Sequence, residues 1–171
     1  MMLQAGLYQR FPKPDLALML HVSPDTAAGS VALTEGYALA NVDSLDLVVH
    51  GVGGHGSAPH AGKDPIVLAA QIVLALQTIV SREINPVYPA VVTVGAIHGG
   101  TKHNIIPGEV DMKLTLRFFS DDVYRQIKEA LVRIADGNAV AAGLPKELMP
   151  VVTFANEFTP PVENEPDLVA A

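Results

Sequence analysis

The chain contains no cysteine and no tryptophan among its 171 residues. Without cysteine it has no disulfide framework, no thiolate metal site and no thiol nucleophile. Aromatic residues make up 5 % and charged residues only 17 %. Basic charge is the scarcer sign, 11 Lys and Arg against 18 Asp and Glu, for a net charge of −7. A chain of that sign has no electrostatic basis for holding nucleic acid or an anionic membrane surface. Residues 1–14 lack a basic stretch followed by an apolar one, so no leader is read there. The longest apolar run, residues 66–80, is 15 residues long with two Gln and a Thr, short of the roughly 20 that cross a bilayer. These absences lead to the expectation of a cytoplasmic protein. What is present is apolar: 49 % hydrophobic residues and a mean hydropathy of +0.30, too apolar for disorder and enough for a sizeable core. The length predicts one domain, or one and a part.

Residues 1–8 read as the tail of a helix and residues 11–15 as a loop. Residues 16–22 form an almost wholly apolar run, which predicts a strand buried on both faces, as in a parallel sheet. Residues 26–42 give a weaker strand signal, rich in Ala and Gly. From Leu45 the pattern sharpens. Leu45, Leu47 and Val49 alternate with Asp46, Val48 and His50, which predicts a half-buried strand. A glycine-rich loop follows over residues 51–62. Asp64 and Pro65 then open a helix as N-cap and first helical residue. Its apolar positions are Ile66, Ala69, Ala70, Val73, Leu74, Leu76 and Val80, and Asn85-Pro86 ends it.

Residues 90–97 predict another strand, and residues 98–107 a loop containing Gly99-Gly100. Val110, Met112, Leu114 and Leu116 alternate with polar residues in a second strand of a hairpin. Ser120 caps a second helix, with Asp121 and Asp122 favouring its N-terminal dipole. Val123, Ile127, Ala130, Leu131 and Ile134 make its apolar stripe, and Gly143 and Pro145 stop it. Residues 151–158 predict the last strand. Residues 159–171, rich in Pro and Glu, read as a linker. The order is β-α-β-β-α-β, which predicts an α+β fold: a ferredoxin-like antiparallel sheet with two helices on one face. No internal repeat or low-complexity segment is visible.

Four places along the chain could carry chemistry. Residues 51–56 match G-x-G-x-x-G after a strand. However, Pro59 and Pro65 prevent a helix from starting at the third glycine, so no helix terminus faces a pyrophosphate. The plain reading is a flexible loop whose glycines need positive φ. His55 and His60 lie in that loop. They are either surface groups or hydrogen-bond donors to a polarised carbonyl. Ser57 is not in a nucleophile elbow. His21 closes the apolar run of residues 16–20, where ligand-facing groups collect at strand ends, although no second ligand stands at short metal spacing. Asn104 is either a turn former or a substrate contact. Arg117 is either a solvated strand end or a clamp for a carboxylate.

Taken together, Leu20-His21-Val22-Ser23-Pro24, the stretch from Gly53 to His60 (GGHGSAPH), the stretch from Gly99 to Pro107 (GGTKHNIIP) and Arg117 resemble the metal-dependent aminoacylase-type amidohydrolases and metallopeptidases. The hippurate hydrolase branch is the nearest in pattern. The resemblance implies a lid, or dimerisation, domain over residues 44–158. It implies an end piece of an α/β zinc-peptidase catalytic domain over residues 1–43, and a return to that domain over residues 159–171. It implies His21 as one ligand of a two-metal site, expected to be zinc, whose remaining ligands and general-base Glu lie outside this sequence. It implies His55 as the oxyanion-stabilising group. Asn104, Arg117, His60 and Gly100 would hold the substrate, an N-acyl-amino acid or small peptide. The expected partner is a second copy joined through the lid, with no nucleic acid and no membrane. With one metal ligand, the chain alone is expected to be inert and to hold no stable two-metal site. Residues 1–43, lacking neighbours, are expected to be poorly ordered or packed non-natively. The alternative is an autonomous ferredoxin-like dimerisation or small-molecule-binding module without catalysis.

Overall fold

A computed structural model describes residues 2–155 and 159–170. The chain divides into two compact units, Met1–Leu33 and Thr34–Ala171. In the first unit one short helix forms, α1 (Leu7–Arg10), entered through Gly6 at φ 81°. Among its described residues there is no strand. The buried strand expected over residues 16–22 is therefore absent. Leu16, Leu18, Met19, Leu20 and Val22 are 67–90 % exposed. A strand of the parallel, doubly buried kind exists only between neighbours that pair with it, and this segment has none among the described residues.

The second unit contains β1 (Gly36–Leu39), β2 (Asp43–His50), β3 (Gly54–His55) and α2 (Pro65–Thr78). It continues with β4 (Val91–Gly99), β5 (Ile105–Ile106), β6 (Glu109–Arg117), α3 (Asp121–Ala141), β7 (Val151–Phe154), β8 (Val162–Asn164) and α4 (Pro166–Ala170). A four-stranded sheet has the order β4-β6-β2-β7, and every neighbouring pair in it is antiparallel. β1 pairs with β8 in a separate antiparallel ribbon. This pairing joins residues 36–39 and 162–164 to the second unit. The unit boundary thus falls at Leu33/Thr34, whereas the sequence reading set its first boundary after Asp43. Only β1 forms within the weak strand region of residues 26–42. The tail read as a linker contributes β8 and α4. The last strand of the sheet ends at Phe154; residues 156–158 of that expected strand lie outside the described residues.

One face of the sheet is the core. Leu45, Leu47 and Val49 of β2, and Val110, Met112, Leu114 and Leu116 of β6, are all 3 % exposed or less. α3 lays the expected stripe, Val123, Ile127, Ala130, Leu131 and Ile134, against the same cluster. Ser120 Oγ caps it from the Val123 N–H. At its other end Leu144 N–H reaches Ala139 O and Gly143 N–H reaches Val140 O. That double closure needs a left-handed residue after the cap, which Gly143 supplies at φ +70°. Interleaved residues Asp46, Asp111 and Lys113 face solvent.

α2 starts as expected, with Asp64 Oδ1 accepting from Ile66 N–H at 2.9 Å. Its buried face differs from the expected one. Leu68, Ala69, Ile72 and Leu76 are buried, while Ile66 and Leu74 are 43 % and 72 % exposed. The helix is apolar all round, so its periodicity does not choose a face; the sheet does. A π turn over Ile79–Glu83 extends it, closed by Ile84 N–H on Ile79 O. The wider turn resets the phase so that Ile79 and Ile84 both point inward, 0 % and 6 % exposed. The combined segment Pro65–Glu83 has 19 residues and a hydropathy of 1.6. It is longer than the run read from the sequence, and its inward stripe belongs to the core.

Candidate functional site

The central strand pair continues past the sheet. His50 faces Glu109 at the end of the β2–β6 register. Gly51 N–H then donates to Gly108 O at 2.8 Å. β3 pairs with β5 through Gly54↔Ile106 and His55↔Ile105. The result is a narrow ribbon that prolongs the sheet and carries His55 at its tip. There Gly56 N–H donates to Asn104 O at 2.8 Å, so the ribbon brings His55 and Asn104 together.

The glycines of residues 51–62 act differently from the expectation. None of them has positive φ. Gly51, Gly53, Gly56 and Gly62 instead stand where other backbone passes close by, while Gly54 has open space. A Cβ on Gly51 would lie 2.4 Å from Lys63 O, and one on Gly56 would lie 3.1 Å from Asn104 O. The base of the loop is tied by reciprocal bonds between Val52 and Lys63, 2.8 and 3.0 Å. The loop is thus pinned at its base and at its tip. The helix begins at Pro65, well past the third glycine of the motif.

His55 is exposed, and its ring is held from one side. Nδ1 lies 3.2 Å from the Ser57 backbone N–H and 2.7 Å from Ser57 Oγ. A backbone N–H only donates, so Nδ1 is the acceptor. In the neutral ring the proton is then on Nε2. His55 therefore presents an N–H donor outward, the form that suits a carbonyl or oxyanion oxygen. His21, in the first unit, has the opposite arrangement. Its Nδ1 lies 2.6 Å from Val22 O, and a carbonyl only accepts. His21 Nδ1 carries the proton and Nε2 keeps its lone pair, the form of a metal-ligating imidazole.

The other candidates separate. His60 sits exposed in a short 3-10 turn, Pro59–Ala61, directly after the His55 turn. Gly100 turns the chain after β4 at φ +76°. Arg117 ends β6 opposite Val91, at the far end of the strand from the ribbon. Nine residues of antiparallel strand put roughly 27 Å between the two ends of β6. One chain therefore does not place Arg117 beside His55 and Asn104. Among the described residues there is no group of three or more His, Cys, Asp or Glu that could hold a metal ion. His21 by itself does not complete a metal centre.

A polar cluster that the sequence reading passed over lies where β1 leads into β2. Asp43 is 1 % exposed and Asn41 fully buried. Asp43 Oδ1 accepts from Ser44 N–H at 2.8 Å, and its Oδ2 accepts from the Tyr124 hydroxyl. Asn41 Oδ1 accepts from Phe118 N–H at 2.8 Å, and Asn41 N–H donates to Phe118 O at 3.1 Å. The Tyr124 ring stacks on Phe118 with centroids 4.4 Å apart, and Lys128 Nζ lies 4.2 Å from its centroid. Burial, then the hydrogen bond to Asp43 and its charge, push the Tyr124 hydroxyl up to about 12. The signal was present in the sequence: Asp43 shares the inward parity of Leu45, Leu47 and Val49, and an acid on an inward position calls for a partner.

The peptidase dimerisation domain of the M20 family matches residues 37–142. An N-acetyl-L-cysteine deacetylase of Bacillus subtilis is 41 % identical over 130 residues, which is 76 % of this chain and 31 % of that protein. Thermostable carboxypeptidase 2 of Saccharolobus solfataricus is 35 % identical over 98 % of this chain and 41 % of its own length. A solved Bacillus subtilis structure, described as a dinuclear metal binding peptidase from the M20 family, is 27 % identical with a TM-score of 0.61. It is matched over 88 % of this chain and 35 % of that one. The chain spans about a third to two fifths of the length of the curated relatives it matches. This chain belongs to the M20 peptidase dimerisation domain family.

Proposed function

We propose, with that membership as the premise, that the chain is the lid and dimerisation part of a metal-dependent hydrolase that cleaves the amide bond of N-acyl-amino acids. Hippurate-like and N-acetyl-amino acids are the substrate class. The observation that carries the reading is His55 at the tip of the ribbon, with its Nε2–H turned outward and Asn104 beside it. A preorganised neutral donor of this kind stabilises the oxygen of a tetrahedral intermediate without moving a proton. The metal centre, zinc in this proposal, would be completed by residues outside this sequence, with His21 as one ligand. There it would activate water and polarise the carbonyl. Residues 1–33 would belong to the catalytic part, and the paired β1 and β8 would be the two crossings between it and the lid. The strand order β4-β6-β2-β7 with two crossover helices supports a ferredoxin-like description of that lid. A cytoplasmic location goes with the proposal.

The partner is a second copy. β4 is an edge strand of nine residues, and a long unpaired edge is a ready strand-pairing surface. Val91 and Ile97 on it, and Val67 and Leu74 on α2, are 46–72 % exposed. A two-fold pairing of β4 with its copy runs antiparallel. The partner's Gly99 end, which carries its ribbon, then lies at this chain's Val91 end, where Arg117 stands. That pairing brings Arg117 of one copy to the same end of the joint sheet as His55 and Asn104 of the other. The separation along β6 supports a site shared between subunits. Arg117 holds the substrate carboxylate with a planar fork, and His55 meets the carbonyl oxygen.

The test replaces the matching region of the Bacillus subtilis deacetylase with residues 34–171 and follows N-acetyl-L-cysteine hydrolysis. His55→Ala is expected to lower kcat by about 10²–10³, and Arg117→Ala to raise KM. A His55→Ala chimera as fast as its parent would overturn the reading. Mixed dimers of His55→Ala and Arg117→Ala chimeras should regain one working site; no recovery would exclude the shared arrangement.

A further inference from the structure

The geometry points to Ser57 as a positioning residue that fixes the ring tautomer of His55. This inference rests on the role proposed for His55 and names what sets it. The local chain makes the contact unavoidable. Ala58 N–H donates to His55 O at 2.8 Å, which closes a four-residue turn with Ser57 as its third residue. Gly56 at the second position lies against Asn104, and a side chain there would meet the Asn104 carbonyl at 3.1 Å. Pro59 keeps Ala58 out of the helical region; Ala58 has φ −124° and ψ 54°. The turn is braced on both sides and leaves Ser57 facing the His55 ring.

Two donors then converge on one nitrogen. The Ser57 N–H is 3.2 Å from Nδ1 and its Oγ 2.7 Å. A serine hydroxyl can donate or accept, and the backbone N–H beside it settles the choice. Nδ1 has no proton to give, so Oγ–H donates. Moving the ring proton to Nδ1 would break the backbone bond, set two N–H groups against each other, force the hydroxyl to turn from donor to acceptor, and turn Nε2 into a lone pair. A lone pair repels a developing oxyanion, whereas the Nε2–H attracts it. Ser57 therefore acts through His55 and touches no substrate. It is a different use of serine from a nucleophile, which its position outside an elbow motif already disfavours.

The measurement is long-range 1H–15N correlation on the 15N-labelled 171-residue chain, above the titration range of histidine. The His55 signals are assigned by their loss in His55→Gln. The expected wild-type result is an unprotonated shift at Nδ1 and a protonated one at Nε2. Ser57→Ala keeps the backbone donor and removes the hydroxyl. It should cut the preference for the Nε2–H tautomer by about three- to tenfold, the worth of one neutral hydrogen bond. Ser57→Thr should restore it. Backbone amide shifts of the four-stranded sheet should be the same in all variants, because residues 53–61 lie outside it. A wild-type proton on Nδ1, or an unchanged ratio in Ser57→Ala, would overturn the inference. The readout involves no substrate, so it fails separately from the catalytic proposal. A tautomer shift without a kinetic effect of His55→Ala removes the catalytic role and leaves the positioning role standing.

Discussion

Residues 16–20 and residues 45–49 are short runs of similar apolar content, and they end in opposite states. Leu18 and Leu20 are 85 % and 89 % exposed, while Leu45, Leu47 and Val49 are 2 %, 0 % and 0 % exposed. The difference is not in the runs. β2 has β6 on one side and β7 on the other, and α2 and α3 cover its inner face. Residues 16–20 have no pairing strand among the described residues. Strand formation is decided by partners, because unpaired backbone groups and an uncovered apolar face both cost free energy. An apolar run records what a segment can become once its neighbours are present.

The comparison can be broken most directly by truncating one leucine in each run. Leu47→Ala removes a fully buried side chain and should cost about 2–5 kcal/mol. Leu18→Ala should fall within about 0.5 kcal/mol of wild type. Urea unfolding of the full chain, followed by circular dichroism, reads both. Equal losses would mean that residues 16–20 are packed in solution as well as residues 45–49, and the contrast would disappear.

Most of the second unit was legible because its strands alternate cleanly. Leu45 to Val49 and Val110 to Leu116 show which face is inward, and Ser120, Asp64 and Gly143 mark helix ends by chemistry that needs no tertiary context. The buried face of α2 was not legible. A helix that is apolar on every side offers no stripe, and only the sheet beneath it selects Leu68 and Ile72 over Ile66 and Leu74. The ribbon was half legible. The motif residues His55 and Asn104 stand out in sequence. Their pairing depends on a backbone approach that only the glycines permit, and a glycine in a sequence does not tell positive φ from close contact. The opposite tautomers of His21 and His55 were not legible at all. They follow from which backbone group, a carbonyl or an N–H, happens to meet Nδ1.

A second, smaller contrast lies within β2. Asp43 shares the inward face with Leu47, yet it is buried as an acceptor of hydrogen bonds. Tyr124→Phe should cost about 1–3 kcal/mol at neutral pH, because the buried Asp43 Oδ2 loses its donor. The pH dependence gives a sharper signature. The Tyr124 hydroxyl is held up to about 12 in the folded chain, against an ordinary value near 10. Below pH 10 it is neutral in both states, and its contribution is complete. Between about 10 and 12 the unfolded chain loses the proton while the folded chain keeps it, so the folded state loses ground. The gap in stability between wild type and Tyr124→Phe should therefore narrow over that range. A gap constant from pH 8 to 12 would show that the hydroxyl is not held by Asp43.

The outward face of the same strands should give the smallest effect. Lys113 Nζ and Asp46 Oδ1 are 3.1 Å apart across the β2–β6 pair, with side chains 66 % and 60 % exposed. They are directly opposed in register, one residue along each strand from the buried Leu47 and Met112. Coulomb attraction there is weakened by water, and two long side chains must be ordered to gain it. A double-mutant cycle with Lys113→Ala and Asp46→Ala should give a coupling of about 0.2–1 kcal/mol, shrinking as salt rises above physiological strength. A coupling of several kcal/mol that ignores salt would mean the outer face is covered in solution. Because the pleat sends alternate residues to opposite sides, a one-residue step along β2 should then change the cost of truncation by several-fold, with Leu47 on one side of that step and Asp46 on the other.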